Sequence, residues 1–107
     1  MYYEVHGQAA GVPLVLIHGG GSTIPSNWGA LLPVFTRYYK VIAMELQAHG
    51  RTGDRDVSES FELDAADICT LLEVLEVPGA NFVGFSDGAC TALEIGIRYP
   101  ERFIRWY

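Results

Sequence analysis

Gly84-Phe85-Ser86-Asp87-Gly88 is the stretch on which the fold turns. It has the form Gly-x-Ser-x-Gly, with an apolar run before it (residues 80–85) and a helix-forming run after it (residues 89–98). This context reads as a strand turning sharply into a helix, with the serine at the corner. The flanking glycines serve a steric purpose, because without side chains the strand and helix can approach closely. The corner lifts the serine Oγ above the sheet and aims it at the start of the helix, where backbone N–H groups can stabilise an oxyanion. By chance the pattern arises in roughly one chain in thirty of this length, and the flanking strand and helix make chance a poor account. Ser86 is the candidate nucleophile, and the Asp87 N–H is a candidate oxyanion donor.

Upstream, His18-Gly19-Gly20-Gly21 follows the apolar run 12–18. Glycine after a strand lets a backbone N–H approach a substrate carbonyl unhindered. A glycine run alone is only a loop. Paired with the serine corner, it points to Gly20 as a second oxyanion donor, with Gly21 as the alternative.

Between and around these loops, strand and helix signals alternate. Strands are expected at 2–6, 12–18, 40–44 and 80–85. Helices are expected at 26–38, with Trp28, Leu31, Leu32 and Phe35 inward; at 61–75, with Phe61, Ala65, Ile68, Leu72 and Leu75 inward; and at 87–99. Ser60 is the expected N-cap of the second helix and Pro78-Gly79 its stop. Alternation of this kind predicts an α/β fold with a mostly parallel sheet of about four strands, and ligand sites at the carboxyl ends of its strands. Residues 1–107 read as a single minimal or truncated domain.

Four segments together carry a family likeness: Leu16-Ile17-His18-Gly19-Gly20-Gly21, Ala48-His49-Gly50-Arg51-Thr52-Gly53, Gly84 to Gly88, and Arg98-Tyr99-Pro100-Glu101-Arg102. They resemble the N-terminal part of the α/β-hydrolase family, in particular its small esterase-like members of the valacyclovir-hydrolase and enol-lactonase type. The resemblance implies a spatial strand order of 2-4-3-5 in the family's own count, with Ser86 after strand 5. It further implies hydrolysis of small carboxylic esters through an acyl-serine intermediate, without a cofactor or metal.

The chain also departs from the family. An Asp and an Arg are common where Glu45 and Gln47 stand, so weaker polar contacts are expected in that loop. The family orders its triad as serine, acid, histidine, yet no histidine follows His49. The general base and its acid partner are missing from their family positions. The base is then absent, borrowed from another chain, or an unusual histidine: His49, in a loop leaving the active end of the sheet, is the substitute candidate, followed by His18 and then His6. The Asp87 side chain should point away from Ser86. Asp54 and Asp56 read as a solvated turn, and Ser22 and Ser26 as loop and cap residues. Trp28, Phe85 and Tyr99 read as packing, with Phe85 also able to line an acyl site.

Composition excludes other classes. Half of the 107 residues are apolar, so disorder is not expected. The net charge is −6 with only seven Lys and Arg, which speaks against nucleic-acid and anionic-membrane partners. The longest apolar run is far too short to span a membrane. No signal peptide is visible, so a cytoplasmic location is expected. Cys69 and Cys90 lack metal-like spacing and read as small buried hydrophobes, not a disulfide. Finally, residues 80–85 form an interior strand in the family, whereas only the stub 103–107 is left here to cover their outer edge. An open edge recruits another chain, so a homo-oligomer is expected, with the stub docking on a neighbour.

Overall fold

The computed structural model describes residues 1–8, 10–46 and 60–106. Five strands form one sheet: β1 (Tyr3–His6), β2 (Leu14–Ile17), β3 (Val41–Met44), β4 (Ala80–Gly84) and β5 (Phe103–Trp106). Their order in space is β1-β3-β2-β4-β5. The first four follow the order the family resemblance implies. β1 runs antiparallel to β3, while the β2–β3, β2–β4 and β4–β5 pairs are parallel.

Every residue of β2 and β3 is buried, as their unbroken apolar runs require when both faces are covered. Alternate residues feed opposite cores. Val15, Ile17, Ile42, Met44 and Phe82 pack against the long helices α3 (Phe61–Val74) and α4 (Asp87–Arg98). Leu14, Leu16, Val41 and Ala43 pack against Ile24 and Trp28 on the other face. The result is a three-layer arrangement with a helical cover on each side.

The single helix expected over 26–38 is instead two short ones, α1 (Ile24–Trp28) and α2 (Leu32–Phe35). Proline explains the break. In a continuous helix Pro33 would lie in the interior, lacking an N–H and clashing with the carbonyl four residues earlier; here it falls in the first turn of α2, where it is tolerated. Trp28 is buried, and Leu32 and Phe35 pack partly against the core, but Leu31 faces solvent at 43% exposure. Thr23, not Ser26, caps α1. Its side chain accepts from Ser26 N–H while the Ser26 hydroxyl accepts from Thr23 N–H, a reciprocal capping box.

Ser60 caps α3 as expected, accepting from Leu63 N–H at 3.0 Å. The stop lies earlier than Pro78-Gly79. Glu76 takes φ 59° and Val77 N–H reaches back to Leu72 O at 2.8 Å, which closes the helix in a Schellman turn. That left-handed position suits glycine. Glu76→Gly is therefore expected to stabilise the fold by about 0.5–1 kcal/mol, read as a higher urea midpoint at unchanged m-value. An unchanged or lower midpoint would mean that the Glu76 side chain contributes more than its backbone costs.

The open edge expected at β4 is filled from within the chain. A single 3₁₀ turn, Pro100–Arg102, redirects the backbone after α4, and Arg102 Nη1 donates to Val77 O at 2.9 Å. β5 then pairs with β4 (Ala80 opposite Phe103, Phe82 opposite Trp106) across one register shift. A strand tethered only a few residues away meets this edge at a far higher effective concentration than a second chain could.

Both cysteines are free. Cys69 is buried on α3, but Cys90 is exposed on α4, contrary to the expectation of burial. Burial pushes the Cys69 thiol up from 9.0 to about 11, with Arg102 opposing and Glu101 adding to the shift. Iodoacetamide near neutral pH should therefore modify Cys90 and spare Cys69 in the folded chain. The folded state keeps the Cys69 proton to higher pH than the unfolded state does. Its contribution is intact below about pH 9 and should be lost progressively toward about pH 11. Urea midpoints across that window, compared with those of Cys69→Ala, check this; an equal decline in both proteins would assign the loss to other groups.

Candidate active site

β2 and β4 are neighbours in register, Ile17 opposite Gly84. The segments leaving their carboxyl ends therefore emerge side by side, and Phe85 N–H donates to Ile17 O at 3.1 Å. This pairing brings His18-Gly19-Gly20-Gly21 against Phe85-Ser86-Asp87.

Ser86 stands between β4 and α4 with φ 56° and ψ −115°. Such a combination is sparsely populated for residues carrying a Cβ. The turn is held by Gly88 N–H to Phe85 O at 2.9 Å and Ala89 N–H to Ser86 O at 2.9 Å. Its glycines are sterically required. A Cβ on Gly84 would lie 2.5 Å from Gly88 O, and one on Gly88 only 2.1 Å from Ile17 O. Ser86 is exposed, and its hydroxyl makes no hydrogen bond to any described residue.

Across from it, contacts to described residues anchor the loop after β2. Gly19 N–H donates to Asn27 Oδ1 at 2.8 Å, and Ser22 N–H to Gly19 O at 3.1 Å. The buried His18 ring bonds on both sides, Nδ1 to Gly19 O at 2.7 Å and Nε2 accepting from Leu46 N–H at 3.0 Å. The loop's far foot is held by Glu45, whose carboxylate accepts from Ile24 N–H at 3.1 Å. Glu45 itself is 1% exposed and reaches the start of α1, while Gln47 and the rest of the loop in which weaker polar contacts are expected lie outside the described residues. Sequence reasoning did not find Asn27 as an anchor, and no local pattern marks it.

The Gly20 and Asp87 N–H groups have no partner among the described residues. The two positions touch: a Cβ on Gly20 would lie 2.3 Å from Asp87 Oδ2. The Asp87 carboxylate thus rests against Gly20. Gly21, exposed at φ 71°, stands at the tip of the loop. Gly20 and Asp87 open onto a cavity of about 390 Å³ that is bounded on the other side by Leu46, Phe61 and Glu94. Phe85 is 56% exposed and its ring lies against Gly19, so it is not core packing.

The histidine candidates separate. His18 has both ring nitrogens committed, so it is a loop anchor. His6 lies opposite Val41, at the amino end of the parallel strands and thus the wrong end of the sheet, where it pairs with Glu4 at 2.7 Å. His49 lies outside the described residues, as do Asp54, Asp56 and Gln47. No three His, Cys, Asp or Glu side chains among the described residues could hold a metal ion, and no helix among them is long and apolar enough to cross a membrane.

A mostly parallel sheet covered on both faces, with an exposed serine on a strand-to-helix turn and a glycine loop beside that turn, defines an α/β protein whose candidate site lies at the carboxyl ends of the parallel strands. The profile of the alpha/beta hydrolase fold family matches residues 12–105, and the chain belongs to that family. It is 34% identical, over 95% of its length, to 2-hydroxymuconate semialdehyde hydrolase of Pseudomonas sp. (strain CF600), of which it covers 37%. Over 84% of its length it is 39% identical to strigolactone esterase RMS3 of Pisum sativum, covering 35% of that protein. Among solved structures it superimposes on Est816, described as an N-acyl homoserine lactone degrading enzyme, with a TM-score of 0.90 and 30% identity. That match covers 98% of this chain and 39% of the other. The chain therefore spans well under half the length of these hydrolases.

Proposed function

We propose that this chain carries the nucleophile and oxyanion-binding part of a serine hydrolase acting on small carboxylic esters. The observation that carries the reading is Ser86: an exposed serine at φ 56° whose hydroxyl bonds to no described residue, in the turn that meets the Gly20 loop, with the Gly20 and Asp87 N–H groups lacking a partner among the described residues. In this reading the Ser86 Oγ is the nucleophile of an elbow turn. It attacks the ester carbonyl carbon, and the carbonyl oxygen takes the charge between the Gly20 and Asp87 N–H groups, with Gly21 the alternative donor. A general base removes the serine proton and returns it to the leaving alcohol, and water then cleaves the acyl-serine. Relatives named as a semialdehyde hydrolase, an esterase and a lactone-degrading enzyme support a carbonyl substrate attacked by a nucleophile.

The base is absent from this chain, borrowed from another chain, or an unusual histidine; with His18 and His6 committed elsewhere, His49 is the candidate to test. The test is labelling with a fluorophosphonate, mapped by mass spectrometry. Ser86 should carry the adduct, Ser86→Ala should carry none, and the labelling rate should rise with pH through the histidine range. Labelling that survives Ser86→Ala would overturn the assignment. A His49→Ala protein labelled at the wild-type rate would remove His49 from the role.

A second reading is an incomplete half-domain that self-associates without turnover. Leu93 and Ile97, one turn apart on α4, are 45% and 74% exposed and favour association of apolar surfaces. Light scattering after size exclusion, together with an absence of fluorophosphonate labelling, would support this reading over the first.

A further inference from the structure

A closed ring of hydrogen bonds surrounds the base of the loop that carries Gly20. Leu46 N–H donates to His18 Nε2 at 3.0 Å, and His18 Nδ1 donates to Gly19 O at 2.7 Å. The same carbonyl accepts Ser22 N–H at 3.1 Å. Two residues on, Ile24 N–H donates to Glu45 Oε2 at 3.1 Å, and Glu45 is bonded through the backbone to Leu46. The ring holds both feet of the loop, and between them the Gly20 N–H has no partner among the described residues.

Glu45 is the costly member of this ring. Its carboxyl group is 1% exposed, and a buried polar group of this kind must be held by partners; one of them is the Ile24 N–H, at which it fixes the backbone. We propose that Glu45 is a positioning residue: by gripping Ile24 N–H it fixes the far foot of the loop and thereby the place where the Gly20 N–H stands beside Ser86. It touches no substrate and acts only through the loop. The inference rests on the serine-hydrolase reading above. In this chain a glutamate makes the grip, from the end of β3 to the first residue of α1, where the family commonly has an Asp; with the backbone placed as it is here, a side chain one methylene shorter should hold Ile24 N–H less well.

The test compares Glu45→Gln, Glu45→Asp and Glu45→Ala in the full chain. Amide hydrogen exchange at Ile24 should stay slow in E45Q, which keeps an acceptor oxygen, and become fast in E45D and E45A. Fluorophosphonate labelling of Ser86, measured well below each variant's Tm, should slow by roughly 10- to 100-fold in E45D and E45A and stay nearer the wild-type rate in E45Q. With p-nitrophenyl acetate the loss should fall on kcat and leave KM unchanged. If E45A does not fold, E45D against E45Q carries the comparison. Unchanged Ile24 exchange in E45D overturns the inference. So does faster exchange with an unchanged labelling rate, which a merely structural role would give. A wild-type chain that resists labelling overturns the serine-hydrolase reading itself, and a labelled wild type with indifferent variants overturns this inference alone.

Discussion

Gly88→Ala is expected to lose several kcal/mol of stability, although a generic rule predicts the opposite sign. Gly88 lies in the first turn of α4, where alanine would improve helix propensity by up to about 1 kcal/mol. Against this stands geometry. A Cβ at Gly88 would sit 2.1 Å from Ile17 O and 2.7 Å from His18 O. Both obstacles are backbone atoms at the end of a fully buried central strand, so neither can swing aside as the end of a flexible side chain could. Relief requires α4 to move off the sheet, which would break the packing of Ala92 and Ile95 against the core. Overpacking at a rigid site costs about 1–3 kcal/mol or more, and a domain has only about 5–15 kcal/mol in total. The clash therefore outweighs the propensity gain. Urea denaturation checks it, with Gly11→Ala as control. Gly11 has φ 99° and nothing within 4 Å of a Cβ, so that variant reports backbone strain without a clash. An unchanged midpoint for Gly88→Ala would show that strand and helix do not approach this closely.

The elements that the sequence marks well are those with a strong local cause. The runs at β2 and β3 are apolar because both faces are covered. The glycines around Ser86 are there because a Cβ has no room, and Ser60 precedes α3 because the first helical N–H groups need an acceptor. Each of these can be read within a few residues. The features that escaped are non-local or depend on a competition. Glu45 gains its partner 21 positions away, and Asn27 is indistinguishable in sequence from any surface asparagine. The pairing of β5 with β4 depended on whether a short terminal segment would turn back on its own sheet or reach for another chain. The broken first helix is different, because Pro33 marks the break in sequence while the helical apolar spacing on either side of it argues for continuity. The base also escapes a local reading: the family pattern puts it far from the serine in sequence, and His49, the candidate within this chain, is recognisable only by elimination.

Replacing Ser86 should separate chemistry from strain, because alanine and glycine remove the same hydroxyl but differ in Cβ. At φ 56° and ψ −115° a Cβ is crowded, and holding such a residue costs of order 1–3 kcal/mol. Ser86→Ala keeps the Cβ and therefore the strain. Its hydroxyl bonds to no described residue, so the stability of this variant should stay within about 0.5 kcal/mol of wild type. Ser86→Gly removes the strain but adds about 0.5–1 kcal/mol of unfolded-state entropy. Relief exceeds that penalty, and a net gain of about 0.5–2 kcal/mol is expected. In a domain of this size, each kcal/mol raises Tm by roughly 4–8 °C. Both variants should lose fluorophosphonate labelling completely, so the more stable protein would be an inactive one. This is the pattern expected where a fold holds a residue in a poor backbone conformation for the sake of its side chain. Thermal unfolding of the three proteins side by side decides the matter. If the glycine variant melts no higher than the alanine variant, the turn is not strained at Ser86, and the exposed serine would have to be explained without stored strain.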